Sequence, residues 1–293
     1  MASAREMRLR IRSVKNIAQV TRALQTLSAS KVRRAIAVAA ATRPYSEKAW
    51  KVLVHLARQP GKRSLHPLLQ DREQVKSVLV IMVTADRGQA GPFVMNIVRH
   101  TLTTFLDVPY EVRYIPVGRK GRDMLLRRRK NVIAEFSNLP AFPSYGDISP
   151  IGRLAIDEFL SGEVDQVYIA YTEFKNMITQ IPVMKQLLPL EVDHHEAHSG
   201  AAVNHGVFTY EPDQTEILDQ IIRRFTAVQV HQAVLSSLAS EHAARMVAMR
   251  NATENAVELV SALELVYNKA RQQSITNDIL DIVGGAEALA ASS

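Results

Sequence analysis

Three clusters in this 293-residue chain have residue types and spacing suited to chemistry. The first is Thr84-Ala85-Asp86-Arg87-Gly88-Gln89-Ala90-Gly91, lying between a β-branched apolar run and a helix that Pro92 is well placed to start. Glycines before a helix leave backbone N–H groups free to meet an anion, so this turn has the outline of a phosphate loop. It has neither a Gly-Lys-Ser/Thr ending nor GxGxxG spacing, and a tight turn that needs glycine accounts for it. The second cluster is His194, His195, Glu196, His198 and His205, imidazoles and a carboxylate of the kind that bind zinc. Gly200 and Gly206 argue for a loop there, so the expectation is a solvated loop without metal. The third is Arg127-Arg128-Arg129-Lys130, which closes a predicted helix where positive charge suits the macrodipole. It lacks the interleaved aromatics on which a single-stranded nucleic acid would stack. No serine sits in a GxSxG elbow, and no nucleophile–base–acid arrangement stands out. The chain is therefore expected to carry no catalytic, cofactor-binding or metal site of its own.

The elements that would position these clusters change period along the chain. Ser77 to Thr84 is an apolar, β-branched run of the kind that forms a strand covered on both faces. Helix follows from Pro92 to about Phe105, strand from Tyr110 to Val117, helix from Gly118 to Lys130 and a short strand from Val132 to Phe136. Ile148 to Leu160 reads as helix and Val164 to Tyr171 as strand. Met177 to Leu188 reads as an edge strand that tolerates Pro182. With a last short strand at Val207 to Tyr210, alternating strands and helices imply an α/β domain over residues 76–210.

Long helices bracket that domain. Residues 1–60 hold a helical pattern in which Ile17, Val20, Leu24 and Leu27 fall at 3-4-3 spacing, with Pro44 placed to kink or interrupt it. Residues 211–293 contain the run Asp213 to Val283, free of glycine and proline and ending before Gly284-Gly285. An unbroken helix of that length would reach ~105 Å, too long for one globular core to bury. Ile217, Ile221, Phe225 and Val228, then Leu259, Leu263, Val266 and Ala270, mark a seam that requires another helix. The scattered charges of this run exclude a membrane span, and a coiled coil remains.

Charge is distributed accordingly. Residues 1–58 carry thirteen Lys or Arg against two acids, whereas residues 213–283 carry nine acids against six bases, so the two helices are complementary. A basic segment of this kind also suits nucleic acid, acidic lipid or an acidic protein surface. Cysteine is absent, which excludes disulfides, thiolate metal sites and a cysteine nucleophile. The start, Met-Ala-Ser-Ala-Arg-Glu, lacks the apolar core of a secretory signal. A cytosolic chain, or one held at a membrane only through partners, is expected.

The stretch Leu265-Val266-Tyr267-Asn268-Lys269-Ala270-Arg271-Gln272-Gln273-Ser274-Ile275-Thr276-Asn277-Asp278-Ile279-Leu280-Asp281-Ile282-Val283-Gly284-Gly285-Ala286 closely resembles the C-terminal signature of the gamma subunits of F-type ATP synthases. Arg12-Ser13-Val14-Lys15-Asn16 and Ser28-Ala29-Ser30-Lys31 resemble that family's N-terminal helix. Tyr210-Glu211-Pro212-Asp213 and Leu238 to Met249 resemble the beginning and middle of its C-terminal helix. The chain departs from the family at Asp278 and Asp281, where Glu is usual, and at Gly88-Gln89-Ala90-Gly91-Pro92 in the first turn of the central domain.

The resemblance implies a mixed α/β fold: a long antiparallel coiled coil of N- and C-terminal helices with an inserted Rossmann-like domain. It also implies the role of a central rotor shaft on the cytoplasmic face of a bacterial plasma membrane, coupling proton-driven ring rotation to a catalytic head. The partners would be the alpha and beta subunits, the epsilon subunit and the c-subunit ring, with the membrane reached only through that ring. By position, Arg271, Gln272, Thr276, Lys31, Arg33 and Arg34 would contact the beta subunit. Val283, Ala286 and Leu289 would sit in an apical bearing, and Phe208 and Glu211 would face the c ring and epsilon. Beyond about Tyr267 a single projecting helix is expected. A basic coiled-coil nucleic-acid binder and an α/β enzyme with helical arms are the alternatives.

Overall fold

A computed structural model describes residues 4–57, 66–72, 74–190 and 214–291. The elements in chain order are α1 (Ala4–Ala57), a short 3-10 turn (Pro67–Leu69), β1 (Ser77–Val83), α2 (Phe93–Thr104), β2 (Glu111–Val117), α3 (Arg119–Arg127), β3 (Asn131–Val132), α4 (Tyr145–Leu160), β4 (Gln166–Phe174), β5 (Gln180–Leu188) and α5 (Gln214–Ala291). The histidine-bearing segment and the expected strand at Val207 to Tyr210 lie outside the described residues. The chain forms two compact units, Ala29–Arg245 and the pair Met1–Ser28 with Met246–Ser293.

In the larger unit the sheet runs β3-β2-β1-β4-β5. The first four strands are parallel, and β5 returns antiparallel to β4 with Pro182 opposite Thr172 on the outer edge. Every residue of β1 is buried, as a strand covered on both faces requires. Val78, Val80 and Met82 pack with Ile97, Val98 and Phe105 near α2 and with Leu125 of α3. Leu79, Ile81 and Val83 belong to the opposite cluster, which holds Ile151, Ile156 and Phe159 of α4, Ile222, Phe225, Val230 and Val234 of α5, and Trp50 of α1.

Two glycines set close approaches. Gly118 has φ 109°, and an added Cβ would lie 2.8 Å from Thr84 Oγ1, so only glycine suits the turn into α3. Gly152 lets α4 meet α5 directly: its added Cβ would be 3.1 Å from the Cα of Ala227. Helix α4 begins three residues before the expected Ile148, because Ser144 and Asp147 form a capping box that satisfies the first N–H groups.

Three sequence expectations are corrected. Helix α1 runs through Pro44 without interruption, where a kink or an interruption was expected. The lost hydrogen bond is outweighed where packing holds both sides, with Ala35 buried before the proline and the Trp50 ring 5.2 Å from that of Phe225 after it. Helix α5 likewise passes through Gly284-Gly285 to Ala291, where Ala286, Ala288, Ala290 and Ala291 follow the pair and favour helix. The third correction concerns the seam of the smaller unit. Ile17, Val20 and Leu27 are 51–59% exposed while Leu24 is half-buried, and the buried residues of α1 described in this unit are Thr21 and Ser28. With half-buried Met7, Ile11, Val14, Ala18 and Gln25 these fall at alternating four- and three-residue steps, a heptad seam that is apolar towards the N-terminus and small or polar from Ala18 onward.

The matching α5 seam of this unit is Met249, Thr253, Ala256, Val260, Leu263, Tyr267 and Ala270, so Leu259 and Val266 are not on it. Three contacts fix the pairing as antiparallel: Thr21 Oγ1 to Thr253 Oγ1 at 2.7 Å, Lys15 Nζ to Glu264 Oε1 at 2.7 Å, and Arg8 to the Tyr267 hydroxyl at 2.8 Å. The numbers descend along one helix as they ascend along the other. Only the threonine pair is buried, and the exposed ion pair contributes less than about 1 kcal/mol.

Candidate functional site

In a parallel sheet, ligands favour the carboxyl ends of the strands where the strand order reverses. Here that point lies beyond β1 and β4, at the glycine-bearing turn, and α5 occupies it. Arg245 donates to the carbonyls of Arg87 and Gly88 at 3.4 and 3.3 Å, and to Glu241 Oε1 at 2.6 Å. Ser240 Oγ donates to Thr172 O at 3.1 Å, and Ser236 Oγ accepts from the Phe174 N–H at 3.0 Å. Asp86 accepts the backbone N–H groups of Arg119 and Asn138 at 3.0 and 2.9 Å. The turn thus offers carbonyls to a cation, where a phosphate loop would offer N–H groups to an anion.

Burial shapes the titration of this cluster. It pushes the Glu241 carboxyl up, against the pull of Arg245 and Lys31, while Asp86 adds to the rise. Burial, then the charges of Arg245 and Lys31, hold His242 down at about 4. His242 Nδ1 faces Arg245 at 3.3 Å, and Nε2 is buried without a partner among the described residues. Of this cluster the sequence singled out Lys31, as a partner contact, and the turn holding Asp86; Glu241, His242 and Arg245 were not singled out as a site, although the four-residue spacing of Glu241 and Arg245 is a legible ion-pair signal.

The residues expected to meet a partner are divided between the two units. Lys31, Arg33 and Arg34 belong to the larger one. Lys31 is half-buried and its charge acts on Glu241 and His242, Arg34 lies 4.5 Å over the Phe142 ring, and Arg33 is exposed. Two of the three basic residues are therefore already engaged within the chain. Arg271, Gln272 and Thr276 stand exposed on successive turns of α5 in the smaller unit. The Thr276 hydroxyl donates to Gln272 O at 3.0 Å, which leaves its oxygen as an acceptor. The expected bearing residues Val283 and Ala286 are also exposed, whereas Phe208, Glu211 and the side chain of Leu289 lie outside the described residues. The seam ends at Ala270, and every residue from Arg271 to Ala286 is exposed, in agreement with a helix unaccompanied by α1 there. Among the described residues no group of three His, Asp or Glu side chains is arranged to hold a metal, and the histidine segment falls outside them.

A family model described as ATP synthase matches residues 3–289. Curated relatives span the whole chain: the ATP synthase gamma chain of Dehalococcoides mccartyi strain BAV1 is 49% identical over 291 residues, covering 99% of this chain and 100% of its own. The chain belongs to the ATP synthase gamma family. The gamma chain of Roseiflexus castenholzii is 45% identical over 293 residues, covering 99% of each chain. Among solved structures, a rotor chain of the Euglena gracilis mitochondrial ATP synthase matches with a TM-score of 0.65 at 20% identity, over 93% of this chain and 98% of that one. At that identity the likeness concerns the fold: the gamma architecture of long terminal helices around a mostly parallel sheet.

Proposed function

We propose that this gamma-family chain is the central-stalk rotor subunit of an F-type ATP synthase, coupling proton-driven rotation of a c-subunit ring to the catalytic sites of an alpha/beta head. The observation that carries this reading is the end-to-end similarity to gamma chains, 49% identity over 99% of this chain. The rotor has no catalytic site of its own and acts as a subunit of the ATPase complex. It stands with epsilon on the c ring at the cytoplasmic face of a bacterial plasma membrane. Among the described residues no helix is long and apolar enough to cross a membrane, so attachment through the ring suits the chain.

Arg271, Gln272 and Thr276 hold a beta-subunit loop in this reading, and Lys31, Arg33 and Arg34 supply basic contacts to the beta subunit, of which Arg33 is the exposed one with no hydrogen bond or ion pair among the described residues. Hydrogen bonds to a charged group are worth ~1.5–3 kcal/mol, enough to latch and weak enough to release. Val283, Ala286 and Leu289 turn in the apical bearing, and Phe208 and Glu211 form the foot. The reading is tested by purifying the tagged chain from its native host: alpha, beta, epsilon and c subunits should accompany it, and a homo-oligomer without them would sink the assignment. In the assembled complex, replacing Arg271 and Thr276 together by alanine should lower coupled ATP turnover about tenfold, the effect of losing ~1.4 kcal/mol at the latch. Unchanged turnover would remove the latch role. The nucleic-acid reading receives no support from the family likeness.

A further inference from the structure

Charge is divided unevenly between the two faces of the sheet in the larger unit. Residues 87–130, which include α2 and α3 on one face, carry ten Lys or Arg against three acids. Residues 145–165, which hold α4 on the other, carry one base against five acids. The excess on the first face gathers at one end. Helices α2 and α3 both run back against the parallel strands, so their last turns lie at the amino ends of β2 and β3. Leu106, just after α2, is 69% exposed. At the end of α3 stand Leu126, 54% exposed, then exposed Arg127, Arg128 and Arg129 and half-buried Lys130.

The fold itself does not call for four cations here. The end of α3 is closed by backbone: the N–H groups of Arg128 and Lys130 donate to Leu125 O at 3.0 and 3.1 Å, and that of Arg129 to Leu126 O at 2.9 Å. Arg129 has φ 53°, a conformation for which glycine is the unstrained choice. The helix dipole favours positive charge at this end, but adjoining like charges oppose one another. Among the described residues none of the four side chains makes a hydrogen bond or an ion pair. The carboxylates around them are engaged elsewhere: Glu111 and Glu163 with Arg113 at 3.5 and 2.9 Å, and Asp123 with Arg122 at 2.8 Å. That leaves Asp107, beside Leu106, as the exposed acid against four cations.

We propose that this end of the α2–α3 face rests on a bilayer surface containing anionic phospholipid, with Arg127 to Lys130 at the headgroup phosphates and Leu126 and Leu106 between the headgroups. Flexible cations meet mobile negative charges without one fixed geometry, and clustered Lys and Arg are attracted to anionic lipid. The exposed leucines separate this occupant from nucleic acid. Apolar side chains gain on entering the membrane interface and gain nothing against a phosphate backbone. Among the described residues no helix is long and apolar enough to cross a membrane, so the contact is peripheral. In an assembled synthase it would add direct lipid contact to attachment through the c ring. It involves none of the residues assigned to the rotor contacts and needs no other subunit, so it stands or falls independently of the rotor reading.

The full chain is sedimented with sucrose-loaded vesicles of phosphatidylcholine, with and without about 30% phosphatidylglycerol, at about 0.1 M salt. The anionic vesicles should bind at least about tenfold more tightly, and about 0.5 M salt should remove most of that preference. Arg127→Gln, Arg128→Gln and Arg129→Gln together should weaken binding to them about hundredfold. The same number of exposed charges removed from basic α1, by Arg5→Gln, Arg12→Gln and Arg22→Gln, should weaken it less than about threefold. Leu126→Ser, which leaves the charge unchanged, should weaken it about fivefold to tenfold. A second measurement uses the unaltered chain: anionic vesicles should slow acetylation of Lys130, read by peptide mass, about fivefold, while exposed Lys175 reacts at its original rate. The labelling result decides the matter even when a variant fails to fold. Equal binding to both kinds of vesicle, equal losses from the two triple changes, an unchanged affinity in Leu126→Ser, or equal labelling with and without vesicles would overturn the proposal. Protection of Lys130 by a DNA duplex but not by vesicles would overturn it too and give the face to nucleic acid.

Discussion

Helix α5 has two stretches of similar apolar content and opposite surroundings. Between Ile222 and Ala243 it is buried on nearly every side: Phe225, Val230 and Val234 join the core under the sheet, and even Thr226, Gln229, His231, Ser240, Glu241 and His242 are shielded. Between Arg271 and Ala286 every residue is exposed, although Ile275, Ile279, Leu280, Ile282 and Val283 are as apolar as anything upstream, at 46–72% exposure. Apolar side chains therefore serve two ends within one helix. Upstream they hold the fold. Downstream they add little to the fold of this chain and suit a surface supplied by something else, since a helix gains most of its stability from packing an apolar face.

The comparison breaks most visibly on substitution of a large side chain in each stretch. Phe225→Ala should cost about 3–5 kcal/mol, the loss of a buried aromatic and the cavity it leaves, whereas Ile279→Ala should cost less than about 0.5 kcal/mol. Urea denaturation of the full chain measures both. Equal effects would mean that the exposed stretch is packed within the chain after all. The next largest effect is a pH dependence confined to the buried stretch. His242 is held at about 4, below its ordinary value of 6.5, so the unfolded chain binds the extra proton between those values. Its contribution is fully present above about pH 6.5 and is lost as the pH falls towards 4, up to about 3 kcal/mol in all. Glu241 works in the opposite sense, because a carboxyl raised by burial favours the folded state when protonated. Replacing His242 by leucine should flatten the His-dependent loss of stability between pH 6.5 and 4, read as urea midpoints across that interval; an unchanged slope would assign the loss to other groups.

The seam of the smaller unit supplies an intermediate effect and shows where sequence patterns mislead. Thr21→Val should cost about 1 kcal/mol or less, since the Thr253 hydroxyl still donates to Met249 O at 2.8 Å, and the double change with Thr253→Val should cost less than the sum of the singles because the two hydroxyls bond each other. A double variant as unstable as the sum of the singles would mean that the hydroxyl pair is not coupled. From sequence, Ile17, Val20, Leu24 and Leu27 form the obvious stripe, yet the helices meet through Ala18, Thr21, Gln25 and Ser28. The seam runs on through Met7, Ile11 and Val14, so the face that packs is the one that keeps a heptad register along the whole helix, and a four-residue apolar stripe does not reveal it. The sheet was far more legible, since β1 is buried on both sides and an unbroken β-branched run has few other uses. Elements such as α2 and β2 lie within a residue or two of their expected bounds. Of the Arg245 cluster only the Glu241–Arg245 spacing was legible. Its meeting with the turn after β1 depends on which α5 turn faces which strand end, a relation that local periodicity does not encode.

The smallest expected effect on stability is at Arg271 and Thr276, in the exposed stretch of α5. Arg271 and Thr276 are exposed, and the one hydrogen bond of the Thr276 hydroxyl runs back to its own helix at Gln272 O. Replacing both by alanine removes no buried contact, and alanine is a better helix former than threonine, so the urea midpoint of the isolated chain should move by less than about 0.5 kcal/mol in either direction. The same double change is the one expected to slow turnover in the assembled complex. A loss of stability approaching that of Phe225→Ala would mean that these side chains hold the chain together, and slowed turnover could then be ascribed to a damaged fold. An unmoved midpoint with slowed turnover separates the two halves of α5 by function, because the defect would then have to arise at a surface outside the chain.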